Sequence, residues 1–214
     1  MYVGRIVALG RKQDGKLAAM YRVSSRSFPN RQAVAHPRAA AIVPKPGFEG
    51  DVFKNPYIAY NCLRLIGDCA VAGNGSHTDP VAEKIESGMP ARDALASVLL
   101  AMDYEHDSLD TPRIAAVARI GDDRGLVGIV RRDALLVREF ELVPGRVFYV
   151  CTYDHDEPTA AEDSGMLAVG DAGQACEYVL GGGIFAEFER PVTAACAVAS
   201  AEGAFEIATR EFAG

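Results

Sequence analysis

Between Tyr21 and Arg31 the chain reads Tyr-Arg-Val-Ser-Ser-Arg-Ser-Phe-Pro-Asn-Arg, a set of side chains suited to holding an anion. Arg22, Arg26 and Arg31 carry guanidinium forks that match a phosphate or carboxylate two bonds at a time. Ser24, Ser25 and Ser27 add hydroxyls and Asn30 an amide, and loop N–H groups complete cradles of this kind. By charge alone, an exposed hairpin end would read the same way. The setting favours the cradle, because these arginines are gathered in a chain of net charge -7.

Three further polar clusters fall where one element hands over to the next. Asn55-Pro56-Tyr57-Ile58-Ala59-Tyr60-Asn61 opens a strand. Period-2 alternation puts Tyr57, Ala59 and Asn61 on one face and Ile58, Tyr60 and Cys62 on the other, so Tyr60 and Asn61 share a face only if the strand ends before them. Asn74-Gly75-Ser76-His77-Thr78-Asp79 lies at a helix N-terminus, where backbone donors and the helix dipole favour an anion. Asp103-Tyr104-Glu105-His106-Asp107 follows a helix C-terminus, where the dipole does not favour a carboxylate. Glu105 is therefore a candidate for a poised acid–base group. Taken singly, each cluster also reads as an ordinary polar loop; together, at element ends, they suggest one site.

The elements that must position these residues follow from the apolar pattern. Strands are expected at 2–9 and 17–23, joined by the polar turn 11–16, with a short apolar run at 39–43. After the loop 44–56, runs 57–66 and 69–73 meet at Gly67-Asp68. Asp79-Pro80 should open a helix that Gly88 ends, and Pro90 a second, with Ala91, Ala94, Leu95, Val98, Leu99 and Met102 along one face. Strands return at 113–120, 125–130, 134–140 and 146–153, an acidic irregular stretch occupies 154–170, a helix covers 172–180, and a hairpin of 191–200 and 204–210 closes the chain. Gly181-Gly182-Gly183 punctuates a helix end and lacks a nucleotide-binding fingerprint. The class is α+β, two antiparallel sheets with helices outside, in a single domain over 1–214.

Composition narrows the function. At 214 residues and 49% hydrophobic, the chain can bury a sizeable core. Its acidity argues against a nucleic-acid or anionic-membrane surface but leaves room for a local anion site. Residues 1–10 are too short and strand-like for a signal peptide, and no apolar run is long enough to span a bilayer. Five cysteines with no C-x-x-C read as reduced thiols of a cytoplasmic protein, and four scattered histidines give no metal signature. Exposed edge strands make a homo-oligomer the expectation.

Several of these blocks carry a specific resemblance. Met1–Arg5, Tyr21–Arg31, Asn55–Asn61, Asn74–Asp79, Met102–Glu105, Thr111–Ala116 and Ala208–Arg210 resemble, in order, the archaeal-type inosine monophosphate cyclohydrolases, with 121–170 poorly matched. The resemblance implies a four-layer αββα sandwich of the N-terminal-nucleophile hydrolase type. It also implies the last step of purine synthesis, in which 5-formamidoimidazole-4-carboxamide ribonucleotide closes to inosine monophosphate with loss of water and without a cofactor. That fold usually attacks through a first-residue Cys, Ser or Thr, whereas this chain opens Met1-Tyr2, so fold and mechanism are expected to part company. The substrate's own carboxamide nitrogen is the nucleophile. The protein's task is positioning, a base, an oxyanion donor and a proton for the departing water.

On that footing Glu105 is expected as base or proton shuttle and Tyr60 as acid or oxyanion donor. Arg31 and Asn61 would polarise the formyl oxygen or fix the carboxamide. Arg22, Arg26, Ser25 and Ser27 would clamp the 5′-phosphate, with Asn74 and His77 on ribose or base and Asn30, Tyr57 and Arg113 completing the substrate site. Two alternatives are an amidohydrolase using an internal nucleophile such as Cys62 or Ser25, and a non-catalytic purine-nucleotide sensor.

Overall fold

A computed structural model describes residues 1–213. One sheet is built from β1 (Ile6–Arg11), β2 (Leu17–Ser24), β10 (Arg146–Cys151), β11 (Thr159–Glu162), β12 (Pro191–Ala199) and β13 (Phe205–Glu211), in the order β11-β10-β1-β2-β12-β13. The other runs in strict sequence order through β3 (Arg31–His36), β4 (Ala39–Pro44), β5 (Tyr60–Ile66), β6 (Cys69–Gly73), β7 (Arg113–Arg119), β8 (Arg124–Arg131) and β9 (Ala134–Glu141). Every pairing is antiparallel. The helices are α1 (Asp51–Lys54), α2 (Thr78–Glu86), α3 (Ala91–Met102) and α4 (Ala172–Gly181).

Alternation along each strand sorts the core into three slabs. Val7, Leu9, Ala19, Tyr21 and Val150 of the first sheet meet Ile42, Tyr60, Cys62, Ala72, Ile114 and Ile129 of the second. The opposite face of the first sheet, including Ile6, Ala8 and Met20, packs on Cys176, Val179 and Leu180 of α4. Val71, Ala115 and Val117 on the outer face of the second pack on Val81, Ala82 and Ile85 of α2 and Leu95, Val98 and Leu99 of α3. Helix, sheet, sheet, helix is thus the layer order, the α+β sandwich the pattern predicts. The face of α3 read from its 3.6-residue spacing is core packing, as expected.

Several local readings change, among them the first strand, which begins at Ile6 and not at Tyr2. Residues 31–36 form an edge strand continuing the arginine-rich loop, and 159–162 a second edge strand within the supposedly irregular acidic stretch. The α2 helix begins at Thr78 with His77 at the cap position, so Asp79 lies within the first turn and does not cap it. The stretch 56–58 is a 3₁₀ turn capped by the Asn55 side chain, and β5 begins only at Tyr60. No helix among the described residues is long and apolar enough to cross a membrane.

Candidate active site

At one end of the sandwich the two sheets part around a small cleft of about 120 Å³. Its walls come from separate parts of the chain. Tyr2 and Arg5 precede or enter β1, and Ser25, Ser27, Phe28 and Arg31 cross from β2 to β3. Asn55, Tyr57 and Ile58 lead into β5, Glu105, Asp107, Ser108 and Leu109 follow α3, and Tyr153 follows β10.

Glu105 is the centre of its electrostatics. The carboxylate is 1% exposed and lies between Arg5 (Oε2 to Nη2, 3.4 Å) and Arg113 (Oε1 to Nη1, 3.5 Å). Burial raises its pKa to about 7, with the Arg5 and Arg113 charges pulling the other way. It is therefore divided between acid and base near neutrality, the condition that suits a group that must take and return a proton. The loop that carries it is tied down: the Glu105 N–H donates to the Thr111 carbonyl, and Asp107 accepts from the Leu109 and Thr111 N–H groups and the Thr111 hydroxyl. Asp103, at the start of this loop, has φ 55 and ψ −175, a conformation costly to any residue but glycine. Strain of this kind costs on the order of 1–3 kcal/mol and clusters at functional sites.

Arg31 is nearly buried in the cleft wall and braced by Nε donating to the Phe28 carbonyl (3.0 Å). Below it the Tyr60 and Tyr21 hydroxyls lie 2.5 Å apart, their rings edge to face. Burial raises the Tyr60 phenol, opposed by Arg31, Arg5 and the Tyr21 bond. Tyr57 lies under the Arg113 guanidinium, 5.7 Å from ring centroid to Cζ. Ser25 Oγ accepts from the Phe28 N–H (3.0 Å) and fixes the turn of the arginine-rich loop.

A family model described as "IMP cyclohydrolase-like protein" matches residues 2–203. The chain is 46% identical over 197 residues to a Methanosphaera stadtmanae protein named IMP cyclohydrolase, covering 92% of this chain and 94% of the relative. It is 44% identical over 211 residues to one of that name from Methanococcus maripaludis (98% and 100%), and 51% over 160 residues to one from Halobacterium salinarum (75% and 76%). The chain belongs to the IMP cyclohydrolase-like family.

In this IMP cyclohydrolase-like chain the cleft gathers Glu105, Arg31, Ser25, Ser27 and Tyr57, with Arg113 against Glu105 and Tyr60 beneath the floor. Other expected residues go elsewhere. Arg22 is fully buried on the far face of its sheet, where it donates to the carbonyls of Val179, Leu180, Phe185, Phe188 and Glu189 and to Ser24 Oγ. Those carbonyls end α4 and the turns after it, and a helix C-terminus needs both donors and positive charge. Arg22 is a buried structural cation that does not line the cleft. Asn61 points outward, as alternation from a strand that starts at Tyr60 requires, and gives its amide to Asp79, which Arg64 also pairs. Asn74 bridges Pro112 and Ile114, and His77 is wholly buried behind Arg113. Arg26 lies at the rim over the Tyr2 ring and pairs with Glu189, and Asn30 does not line the cleft.

Arg5, Tyr2 and Tyr153 are site residues that the sequence reading gave no role. Arg5 had a signal: it is the one charge in the apolar run from Val3 to Leu9. Of the alternative nucleophiles, Cys62 is fully buried, donates to the Ala40 carbonyl and has its thiol pushed up by burial, so it has no access to substrate and no thiolate to offer.

Proposed function

We infer that the chain is an IMP cyclohydrolase, closing 5-formamidoimidazole-4-carboxamide ribonucleotide to inosine monophosphate with loss of water. The observation that carries this is Glu105: a buried carboxyl balanced near pH 7 between two arginines, in the cleft of a chain of this family. A pure binding site for a nucleotide phosphate would gain nothing from a buried acid at its centre.

The chemistry needs no enzyme nucleophile. The carboxamide nitrogen attacks the formyl carbon, and its proton passes to the Glu105 carboxylate and on to the former formyl oxygen. The water expelled carries that oxygen, the carboxamide proton and the proton of the formamido nitrogen. Arg31 and Arg5 face the oxygen on which charge develops, and Tyr60, held from behind by Tyr21, supports them from the floor. Ser25 and Ser27, with Arg26 at the rim, take the 5′-phosphate, and Tyr57 packs beneath Arg113 beside the base. Holding formyl and carboxamide in one plane supplies much of the acceleration.

The deciding assay follows the ultraviolet change of purine-ring closure on purified protein. Turnover is expected without added metal, folate or nucleotide; binding of inosine monophosphate with no turnover would make the protein a sensor. Tyr60→Phe should lower kcat about 10²-fold with little change in KM. A loss under threefold would remove Tyr60 from the mechanism.

The same reading places the enzyme in the cytoplasm as a homo-oligomer. Leu100 on α3 is 71% exposed and Leu135 on the edge strand β9 is 37% exposed, apolar surface that a symmetric partner would cover. Light scattering gives the state directly.

A further inference from the structure

Among the described residues, four buried side-chain atoms have no hydrogen-bond partner: Arg5 Nε, Glu105 Oε1, Arg113 Nη1 and His77 Nδ1. Three of them converge. The point at which a Cβ on Gly75 would stand lies 2.9 Å from Arg113 Nη1, 3.1 Å from Glu105 Oε1 and 3.2 Å from His77 Nδ1. A side chain there would press on all three groups, Arg113 Nη1 most closely, and would have to displace it.

The protons can be assigned from the partners. His77 Nε2 is 2.9 Å from the Ile114 carbonyl oxygen, which only accepts, so Nε2 carries the hydrogen. Burial first, and Arg113 next, pull the ring down to about 3 and keep it neutral, the Ile114 bond notwithstanding. Nδ1 is then a lone pair facing the guanidinium. Arg113 is fixed at its other side, Nε donating to the Asp103 carbonyl (2.8 Å), while Nη1 carries two hydrogens with Glu105 Oε1 and His77 Nδ1 nearby. The Nη1–Oε1 pair, at 3.5 Å, is an ion pair short of a good hydrogen bond.

We propose that His77 is a positioning residue whose neutral Nδ1 lone pair, without a hydrogen bond of its own, attracts the Arg113 guanidinium and holds it toward Glu105 Oε1. This rests on Glu105 being the acid–base group of the reaction. His77 neither lines the cleft nor meets ribose; it holds the cation that sets how readily Glu105 ionises. A histidine serving only to tie α2 to β7 would need only its Nε2 bond.

The two ring nitrogens can be tested apart. His77→Gln can keep a donor for the Ile114 carbonyl but loses the acceptor at Nδ1; His77→Asn keeps an acceptor near Nδ1 and loses the Ile114 bond. The readout is the titration midpoint of Glu105, by carboxyl ¹³C NMR of glutamate-labelled protein and by the acid limb of kcat/KM. The charges facing Glu105 are Arg5 from the segment entering β1, Arg31 of β3, Arg113 of β7 and Asp107 of its own loop, and both variants retain them all. In His77→Gln the midpoint should rise by about 0.5–1 unit, as a retreat of the guanidinium by about 1 Å gives at an effective dielectric near 20. His77→Asn should stay near wild type. An unmoved midpoint in the glutamine variant, or an equal rise in both, overturns the proposal. Should either variant fail to fold, Gly75→Ala presses on the same contact and should raise the midpoint; no rise would also overturn it. The NMR midpoint needs no turnover, so an active Glu105→Gln enzyme would refute the catalytic reading while the midpoints still judged His77.

Discussion

Replacing Glu105 with glutamine should lower kcat by about two to four orders of magnitude, the usual contribution of a positioned acid–base group. The amide has the same shape, and its one oxygen can accept from Arg5 or Arg113 though not from both, so the protein should stay folded and bind substrate with KM within a few-fold. What it cannot do is receive the carboxamide proton. The pH dependence gives a second signature. Burial has raised the group to about 7, and the carboxylate is the form that starts the reaction. Below that pH the base is progressively protonated, and kcat/KM should fall about tenfold per unit, then level off as pH rises above 7. The limb belongs to Glu105 only if the glutamine variant lacks it. Retention of the limb, or of turnover within threefold of wild type, would require another base.

The second large effect concerns stability. Arg22→Met keeps much of the aliphatic stem and removes the guanidinium, leaving the carbonyls after α4 and Ser24 Oγ without their donor. Orphaned buried acceptors cost about 1–3 kcal/mol each. Even with partial relaxation, a net loss of about 3 kcal/mol should lower the unfolding midpoint by roughly 6–12 °C in a chain of this size. Calorimetry measures the fall, and turnover well below the transition should remain close to wild type. A tenfold rise in KM with an unchanged midpoint would return Arg22 to the substrate. The same guanidinium that looks like a phosphate fork in sequence is here the counter-charge of a helix terminus.

That contrast shows where the sequence is informative. Strand alternation, the glycine-bearing turns at Gly15, Gly67 and Gly203, and the apolar face of α3 are local signals, and the elements they mark are present. Arg31–His36 escaped because Arg-Gln-Ala-Val-Ala-His has little apolar contrast, and its pairing with β4 is what makes it a strand. For the site, the loop containing Glu105 could be picked out because a carboxylate after a helix C-terminus needs a separate reason. The faces of Arg22 and Asn61 could not: which side of a strand meets the cleft depends on what covers the other side, α4 for one and α2 for the other. Tyr153 and Arg5 reach Glu105's surroundings from positions far apart in the chain, a juxtaposition that exists only after β1 and β10 pair.

The cleft walls come from residues 2–5, 25–31, 55–58, 105–109 and 153, contributed by both sheets and by the loop after α3. The cleft therefore assembles only after elements distant in sequence have packed together. Hairpins and helices form from neighbours in sequence and can precede the rest, but Arg5 leads into one sheet while Arg31 lies in the other and Glu105 in a loop leading to it, so neither sheet alone holds all three. The cleft is thus complete only once β10 has docked beside β1 and brought Tyr153 to it.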